Sequence, residues 1–402
     1  MNIRPRAIVV LGVLAAAFAL TIERGEAHKP ITSKYTYNDD VFPIFRDRCG
    51  RCHVAGGVAP MSLLTYKDAF PWAESIRTEL IAANMPPWNA EDGVGEIRNA
   101  RTITAREIDT ILTWATGGTP PGDSSHDPSP IEITHDWPLG APDVALPLSE
   151  FSLAADSSED THEFTLATHT TEARWVRAVD LLPGTPAIVR SATIAVKSSP
   201  PAGAAASGTE PEQMLALWVP GQDPVPANEG SAFRLPAGAE LVVRIHYKKT
   251  WKYEREAMTD RTSVGIYFAQ PQATELRSVT LTPSVARAGD RGVSVSRIVD
   301  EDVQALALRA DSTPATVGVQ VDAVRPDGSR TAMIRLGARS GWARRYWFER
   351  PVSLPLGTRI EVVEVPGDSP PAAAPLLTRP AEGTAVRLTL DVVPAGASRT
   401  AP

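Results

Sequence analysis

Cysteine is nearly missing from this chain of 402 residues: Cys49 and Cys52 are its only two. Exported β-proteins are commonly stapled by disulfides, and two thiols three positions apart cannot build such a framework. Any large β-region must therefore be held by its apolar core. A basic excess is missing too. With 40 Lys and Arg against 47 Asp and Glu, the formal net charge is −7 and the pI is near 5.6, which argues against nucleic acid as the main partner. After the N-terminus there are no long apolar runs, so no later segment is a candidate membrane span. Long helical patterns are scarce beyond residue 120. There the 36 prolines and 28 glycines of the chain point to a loop-rich β-protein, and the length suggests two or three domains.

What is present begins with a leader. Arg4 and Arg6 precede an apolar run from Ala7 to Ile22, and Gly25-Glu26-Ala27 offers a small-residue site. This pattern predicts an export signal over residues 1–27, cleaved after Ala27. The run is shorter than the ~20 apolar residues a spanning helix needs, so an uncleaved anchor is the lesser alternative. No cysteine follows the run, which excludes a lipoprotein anchor. The expected location is periplasmic or otherwise extracytoplasmic, with membrane association only through a partner.

In such a compartment Cys49-Gly50-Arg51-Cys52-His53 is the attachment pattern of one c-type haem. Two thiols three positions apart reach the two vinyl groups from a single helical turn, and His53 follows as the proximal iron ligand. A zinc site would want two further ligands at matching spacing, and a thioredoxin-like pair would want a βαβ context. Neither is visible.

Around the motif, residues 36–118 read as helices. Asp40 is a candidate N-cap, with Pro43 tolerated in the first turn. Thr65-x-x-Asp68 opens a short turn, and Trp72, Ile76 and Leu80 share a face. Thr104-x-x-Glu107 is a capping box before the stripe Ile108, Ile111, Leu112, Ala115, and Gly117-Gly118 ends that helix. Met85, on the stiff loop Asn84-Met85-Pro86-Pro87-Trp88, is the candidate distal iron ligand; Met61 is its rival and core filling its bland alternative. Residues 28–120 carry ten Lys and Arg and eleven Asp and Glu, so long-range steering of a redox partner is expected to be weak.

Residues 119–131 are rich in Pro, Ser, Gly and Asp and read as a linker. Beyond them come short strands. In the run 241–247, Leu241, Val243, Ile245 and Tyr247 alternate onto one face, Val264 to Phe268 is a second strand, and Pro326-Asp327-Gly328 is a tight turn. Strands are also predicted over 357–363 and 385–390. This is sandwich or jelly-roll composition.

Several segments together carry a resemblance: residues 59–66 (APMSLLTY), Met85-Pro86-Pro87-Trp88, Trp175-Val176-Arg177-Ala178, residues 234–238 (RLPAG), Ile245-His246-Tyr247 and residues 260–265 (DRTSVG). On these the chain resembles bacterial fusions of a cytochrome c domain to a copper type II, ascorbate-dependent monooxygenase-like region, related to peptidylglycine hydroxylating monooxygenase and dopamine β-monooxygenase. The resemblance implies a multidomain chain. Its parts are a small all-α class I cytochrome c domain over 28–118, a linker over 119–136, jelly rolls over 137–272 and 273–395, and a tail over 396–402. It also implies a three-histidine copper in one jelly roll and a two-histidine, one-methionine copper in the other.

The ligands that this resemblance implies are largely replaced. Arg190 and Ser191 stand where the adjacent histidine pair is expected, and a guanidinium cannot ligate a metal. Asp311, Ser312 and Thr313 stand at the His-x-His, and the closing methionine motif is not recognisable. His246 alone survives, and Arg244, two residues away on the same strand face, disfavours a dication. His126, His135, His162 and His169 lack paired spacing, and His28 would be a frayed terminus after cleavage. Copper is therefore not expected. The favoured reading is an exported monohaem cytochrome that exchanges electrons with a redox protein, its β-region a docking or scaffold module without a specific small-molecule substrate. A haem-linked copper oxidoreductase and a structural subunit of a larger membrane-associated redox complex are the alternatives.

Overall fold

The structure is a computed structural model that describes residues 31–100, 102–129, 131–132, 136–197, 213–281, 293–312, 317–337, 343–366 and 387–397. The leader over residues 1–27, together with His28, His135 and Thr313, lies outside the described residues. Strand outweighs helix, 41% against 16%, and among the described residues the α-helices all lie before residue 117.

The helical unit starts one turn earlier than Asp40 would set it. Thr36 is extended and its hydroxyl accepts from the Asp39 amide, so helix begins at Tyr37. Asp40 instead turns back to accept from the Thr36 amide at 2.8 Å, so Asp39 and Asp40 between them complete a capping-box-like arrangement around Thr36. Wide π-type turns, Tyr37–Val41 and Phe45–Cys49, flank the short α1, Phe42–Ile44. Thr65 caps α2, Tyr66–Ala69, and after a 3₁₀ turn comes α3, Ala73–Ile81. Finally α4, Ala105–Thr116, opens on the Thr104–Glu107 capping box. The apolar stripes meet in one core that holds Phe45, Ile76, Leu80, Ile111 and the fully buried Trp114.

The region expected to be a tether is partly sewn to this unit. The Trp114 indole and the Tyr37 amide donate to the Pro120 carbonyl at 3.1 and 2.9 Å, and the Asn38 amide donates to Pro121 at 3.0 Å. The Asn38 side chain donates to Asp127 at 2.7 Å, and His126 Nδ1 meets Asp39 at 2.7 Å. Proline lacks an N–H but keeps its acceptor, so residues 119–127 serve buried donors of the helices.

The first sandwich is built from β1, Val144–Pro147; β2, Phe151–Leu153; β3, Glu159–Ala167; β4, Arg174–Leu182; β5, Val189–Val196; β6, Gln213–Trp218; β7, Ser231–Leu235; β8, Glu240–Lys248; β9, Met258–Asp260; β10, Ser263–Phe268; and β11, Thr274–Glu275. They form sheets in the orders β1-β10-β4-β7-β11 and β3-β8-β5-β6, with a small β2-β9 ribbon. Leu241, Val243, Ile245 and Tyr247 of β8 all point into the core and are fully buried. The second sandwich comprises β12, Arg277–Leu281; β13, Val293–Ile298; β14, Val303–Ser312; β15, Val317–Val324; β16, Arg330–Leu336; β17, Arg344–Leu354; β18, Arg359–Pro366; and β19, Arg387–Pro394. Its sheets run β12-β19-β14-β17 and β13-β18-β15-β16. Antiparallel pairing of this kind, in two facing sheets, is jelly-roll-like. Strand β11 pairs in parallel with β7, so pairing with the first sandwich continues to Glu275.

The three bodies are strapped together. Residues 88–98, between α3 and α4, reach the second sandwich as a paired arm. Ala90 bridges Leu336 and Ile97 bridges Phe348 in antiparallel fashion. Glu91 donates to Arg335 at 2.9 Å, and Arg98 donates to Trp347 at 2.8 Å. Gly95 has φ +73°, and a Cβ there would stand 1.9 Å from the Met333 carbonyl oxygen. Only glycine fits that approach. The helical unit is therefore held to the second sandwich by a strap outside the linker over 119–131.

Between the sandwiches a small solvent-reached cleft is lined by Asp180, Trp218, Phe233, Arg345 and Trp347, among others. Asp180 is 2% exposed, and burial pushes its carboxyl up to about 7 despite a hydrogen bond from the Leu181 amide. A carboxyl whose folded pKa is raised contributes stability only at low pH. Between about pH 4 and 7 the unfolded chain ionises while the folded one keeps its proton, so that stability is lost as pH rises. Asp180→Asn copies the protonated form. It is expected to match the wild type in unfolding free energy at pH 4 and to exceed it at pH 8 by on the order of 4 kcal/mol; equal stabilities at pH 8 would refute the assignment.

Candidate haem-attachment site

The attachment motif follows directly from the π-type turn Phe45–Cys49. The Gly50 amide donates to the Phe45 carbonyl at 2.7 Å, then the amides of Cys52 and His53 both donate to the Cys49 carbonyl, at 3.1 and 2.9 Å. Those i+3 and i+4 bonds are helical, so Cys49, Cys52 and His53 share one side of a single turn. Cys49 packs against the helical core, where burial pushes its thiol up to about 12.

One ring nitrogen of His53 is committed to the backbone. Nδ1 lies 3.2 Å from the Met61 carbonyl oxygen, which can only accept, so Nδ1 carries the proton and Nε2 keeps its lone pair. Burial depresses the His53 pKa, opposed by that bond, and favours neutral imidazole. A ring held by a carbonyl through its far nitrogen is the usual support of a metal-binding histidine. The loop that supplies Met61 is itself closed on the motif, with Ala59 donating to Cys52 and Leu63 to His53 at 3.2 and 3.0 Å. Two thiols on one side of a turn and an imidazole of fixed tautomer fit a covalently held haem. Direct ion binding is a different geometry, and among the described residues no three His, Cys, Asp or Glu converge to hold a metal ion.

The two methionines occupy different settings. Met61, like Cys49, packs its side chain against the helical core. Met85 is half-buried on the turn after α3, its amide donating to Glu79 at 3.4 Å. The same loop then leads into the arm: Pro87 accepts from Arg344 of β17 at 2.9 Å, and Trp88 meets Tyr346 edge-on, with centroids 5.4 Å apart.

The sequence did not reveal that the β-region walls this site. Cys52 Sγ lies 3.7 Å from the Pro220 carbonyl. Gly221, at φ +73°, faces it so closely that a Cβ would stand 2.9 Å from the sulfur. Arg51 pairs with Asp223, Arg344 links Pro87 to Gln222, and Arg190 Nη1 donates to the Val58 carbonyl. At the rim, Trp72 meets Trp251 of the hairpin after β8, with centroids 6.3 Å apart. The Pro220-Gly221 turn was the available sequence signal, but nothing local said what it approaches.

At the positions where the resemblance implies copper, other interactions occupy the side chains. His246 pairs in register with Ser191 of β5 and Thr161 of β3, and its Nε2 lies 3.8 Å from Glu159, which also holds Lys248 at 2.7 Å. Burial depresses the His246 pKa, and Lys248 and Arg190 act in the same direction. Arg244 pairs with Glu163 at 2.7 Å. Asp311 receives Arg309 at 2.7 Å and the Thr389 hydroxyl at 3.1 Å, close to the buried Arg345–Asp391 pair at 2.7 Å. His162 is taken up by the rings of Phe151 and Phe164, with centroids 4.9 and 4.6 Å away.

No protein family and no curated protein matches the chain. Among solved structures it is similar to a proposed alpha-L-fucosidase from Bacteroides ovatus, at 11% identity over 56% of this chain and 37% of that one, with a TM-score of 0.19. It is also similar to the stem and receptor-binding domain of spike protein P1 from bacteriophage PM2, at 12% identity over 59% and 91% with a TM-score of 0.16. A third is a Paenibacillus xanthan lyase, at 12% identity over 68% and 27% with a TM-score of 0.16. The chain spans little more than a third of the first of these, and at such scores the likenesses carry no argument about fold or function.

Proposed function

We propose that the chain is an exported monohaem c-type cytochrome that transfers electrons, with a class I cytochrome c domain in its helical unit. Its paired jelly rolls act as a copper-free scaffold or docking module of monooxygenase-like descent. The observation that carries this reading is the turn at Cys49–His53, with His53 Nδ1 committed to Met61 and Nε2 left for iron. A haem bound there supplies one-electron chemistry, and His/Met ligation favours electron transfer over oxygen chemistry. The protein's own tasks are then separate. Cys49 and Cys52 tether, His53 ligates in a fixed orientation, and Met85 is the proposed second ligand from the turn after α3. The electron donor or acceptor is a redox protein, met with little long-range steering because the helical unit is nearly neutral.

A copper oxidoreductase reading meets cations where it needs ligands. A dication at His246 would face Arg190 and Lys248, with the neighbouring Glu159 carboxylate already held by Lys248, and one at Asp311 would face Arg309 and Arg345. Protein matured in an exporting host is expected to contain one iron and no stoichiometric copper by elemental analysis. Two chelator-removable coppers with an ascorbate-dependent hydroxylase activity would overturn the copper-free assignment.

The distal ligand is tested by spectra. Met85→Ala is expected to convert a low-spin spectrum to a high-spin or exogenously ligated one and to lower the potential. Met61→Ala keeps the carbonyl that holds His53 and is expected to stay low-spin. The reverse pair of results would transfer the role to Met61.

A further inference from the structure

Arg190 lies near the start of β5, in a stretch where Ile188 and Val189 are fully buried, and is itself only 5% exposed. It has no carboxylate partner among the described residues. Nη1 donates to the Val58 carbonyl, and Nε has no hydrogen-bond partner there. Burial lowers its pKa to about 10, with Cys52 acting in the opposite direction, so the guanidinium stays charged at neutral pH. Taking a cation out of water costs several kcal/mol unless the site compensates it, and one neutral carbonyl is poor compensation. A charge kept under those conditions calls for a reason.

Its surroundings supply one. Val58 lies five residues beyond His53, on the loop whose Met61 carbonyl orients that imidazole. Cys52 is within electrostatic reach, and the Pro220-Gly221 turn and the Arg51–Asp223 pair close the same edge. On its other side Arg190 acts on His246, whose carboxylate neighbour Glu159 is held by Lys248. The cation therefore stands at the seam between the first sandwich and the attachment turn.

We infer that Arg190 is the β-region's contribution to the haem site: a buried fixed cation beside the Cys49–His53 turn that sets a higher reduction potential. This rests on the haem reading above. The step is the gain of one electron from a redox-protein donor, with no bond made or broken. Arg190 disfavours the oxidised state, which carries one more positive charge, and its burial keeps that effect from being screened by salt. The β-region thus tunes the electron-transfer centre as well as presenting a surface.

The test is a potentiometric titration of the haem-loaded full chain and of two variants, with thermal unfolding alongside. Arg190→Gln keeps a donor for Val58 but removes the charge. It is expected to lower the reduction equilibrium about tenfold, which is ~59 mV for one electron. Arg190→Lys loses the guanidinium fork but keeps the charge, and is expected to hold most of the wild-type potential. Equal shifts in both variants, or none in either, would overturn the inference and leave Arg190 as a latch on Val58.

Should Arg190→Gln not accumulate, Arg190→Lys decides alone. A buried lysine deprotonates at a lower pH than arginine in the same place. Its potential must therefore fall relative to the wild type as pH rises, and a constant difference defeats the proposal. A wild-type chain that carries no covalent haem defeats the underlying reading instead, and shows it before any potential is measured.

Discussion

When a backbone leaves one body, pairs with two strands of another and returns, it holds the two bodies at a set distance and angle. Residues 88–98 do this between the helical unit and the second sandwich, through the bridges Ala90–Leu336 and Ile97–Phe348. The stem of the arm carries Met85 at one end, and the other end leads back to α4 and the Trp114 core. Because the two sandwiches also share core contacts, with Leu306 and Trp347 of the second packed in the first, the strap fixes the first sandwich as well. The approach of Gly221 to Cys52, and of Arg190 to Val58, follows from that triangle. Gly95, pressed on the Met333 carbonyl, marks how closely the arm is seated.

Charge is handled in a consistent way at the seams. Arg345 is buried against Asp391 and also donates to the carbonyls of Leu215 and Met214 in the first sandwich, at 2.6 and 2.7 Å. Arg98 reaches Asn228 at 2.8 Å and Arg344 bridges Pro87 and Gln222. Guanidinium groups suit this work because a planar fork satisfies several carbonyls at once and remains charged. Arg190, of the same residue type, stands at one position where the resemblance implies a metal ligand. Arg190 joins two bodies there, reaching from β5 to the Val58 carbonyl of the helical unit.

Local chemistry was legible in the sequence and distant chemistry was not. The Thr104–Glu107 box, the Thr65 cap and the alternation of β8 are rules that act within a few residues, and each appears where the spacing put it. The β-rich, jelly-roll-like character of the later chain was likewise visible in turn residues and period-two runs. The Asp40 cap was displaced to Thr36 because two acceptors competed within one turn. The arm over 88–98 looked like a loop, since its partners lie more than 230 residues away in β16 and β17 and backbone pairing leaves no residue-type signature. Pro120 and Pro121 signalled a flexible tether by composition, whereas their carbonyls serve Trp114, Tyr37 and Asn38. In the candidate site, Cys49, Cys52 and His53 were readable from spacing. The Met61 carbonyl, the Pro220-Gly221 wall and Arg190 were not.

The account stands on covalent attachment at that turn, and intact mass spectrometry of the chain matured in a host that exports and haemylates proteins tests it most directly. The predicted result is a mature chain heavier by a single haem, with both thiols closed to alkylation after denaturation and the added mass absent from a Cys49→Ser, Cys52→Ser variant. A mature chain at the bare polypeptide mass, with Cys49 and Cys52 both alkylated, would contradict it.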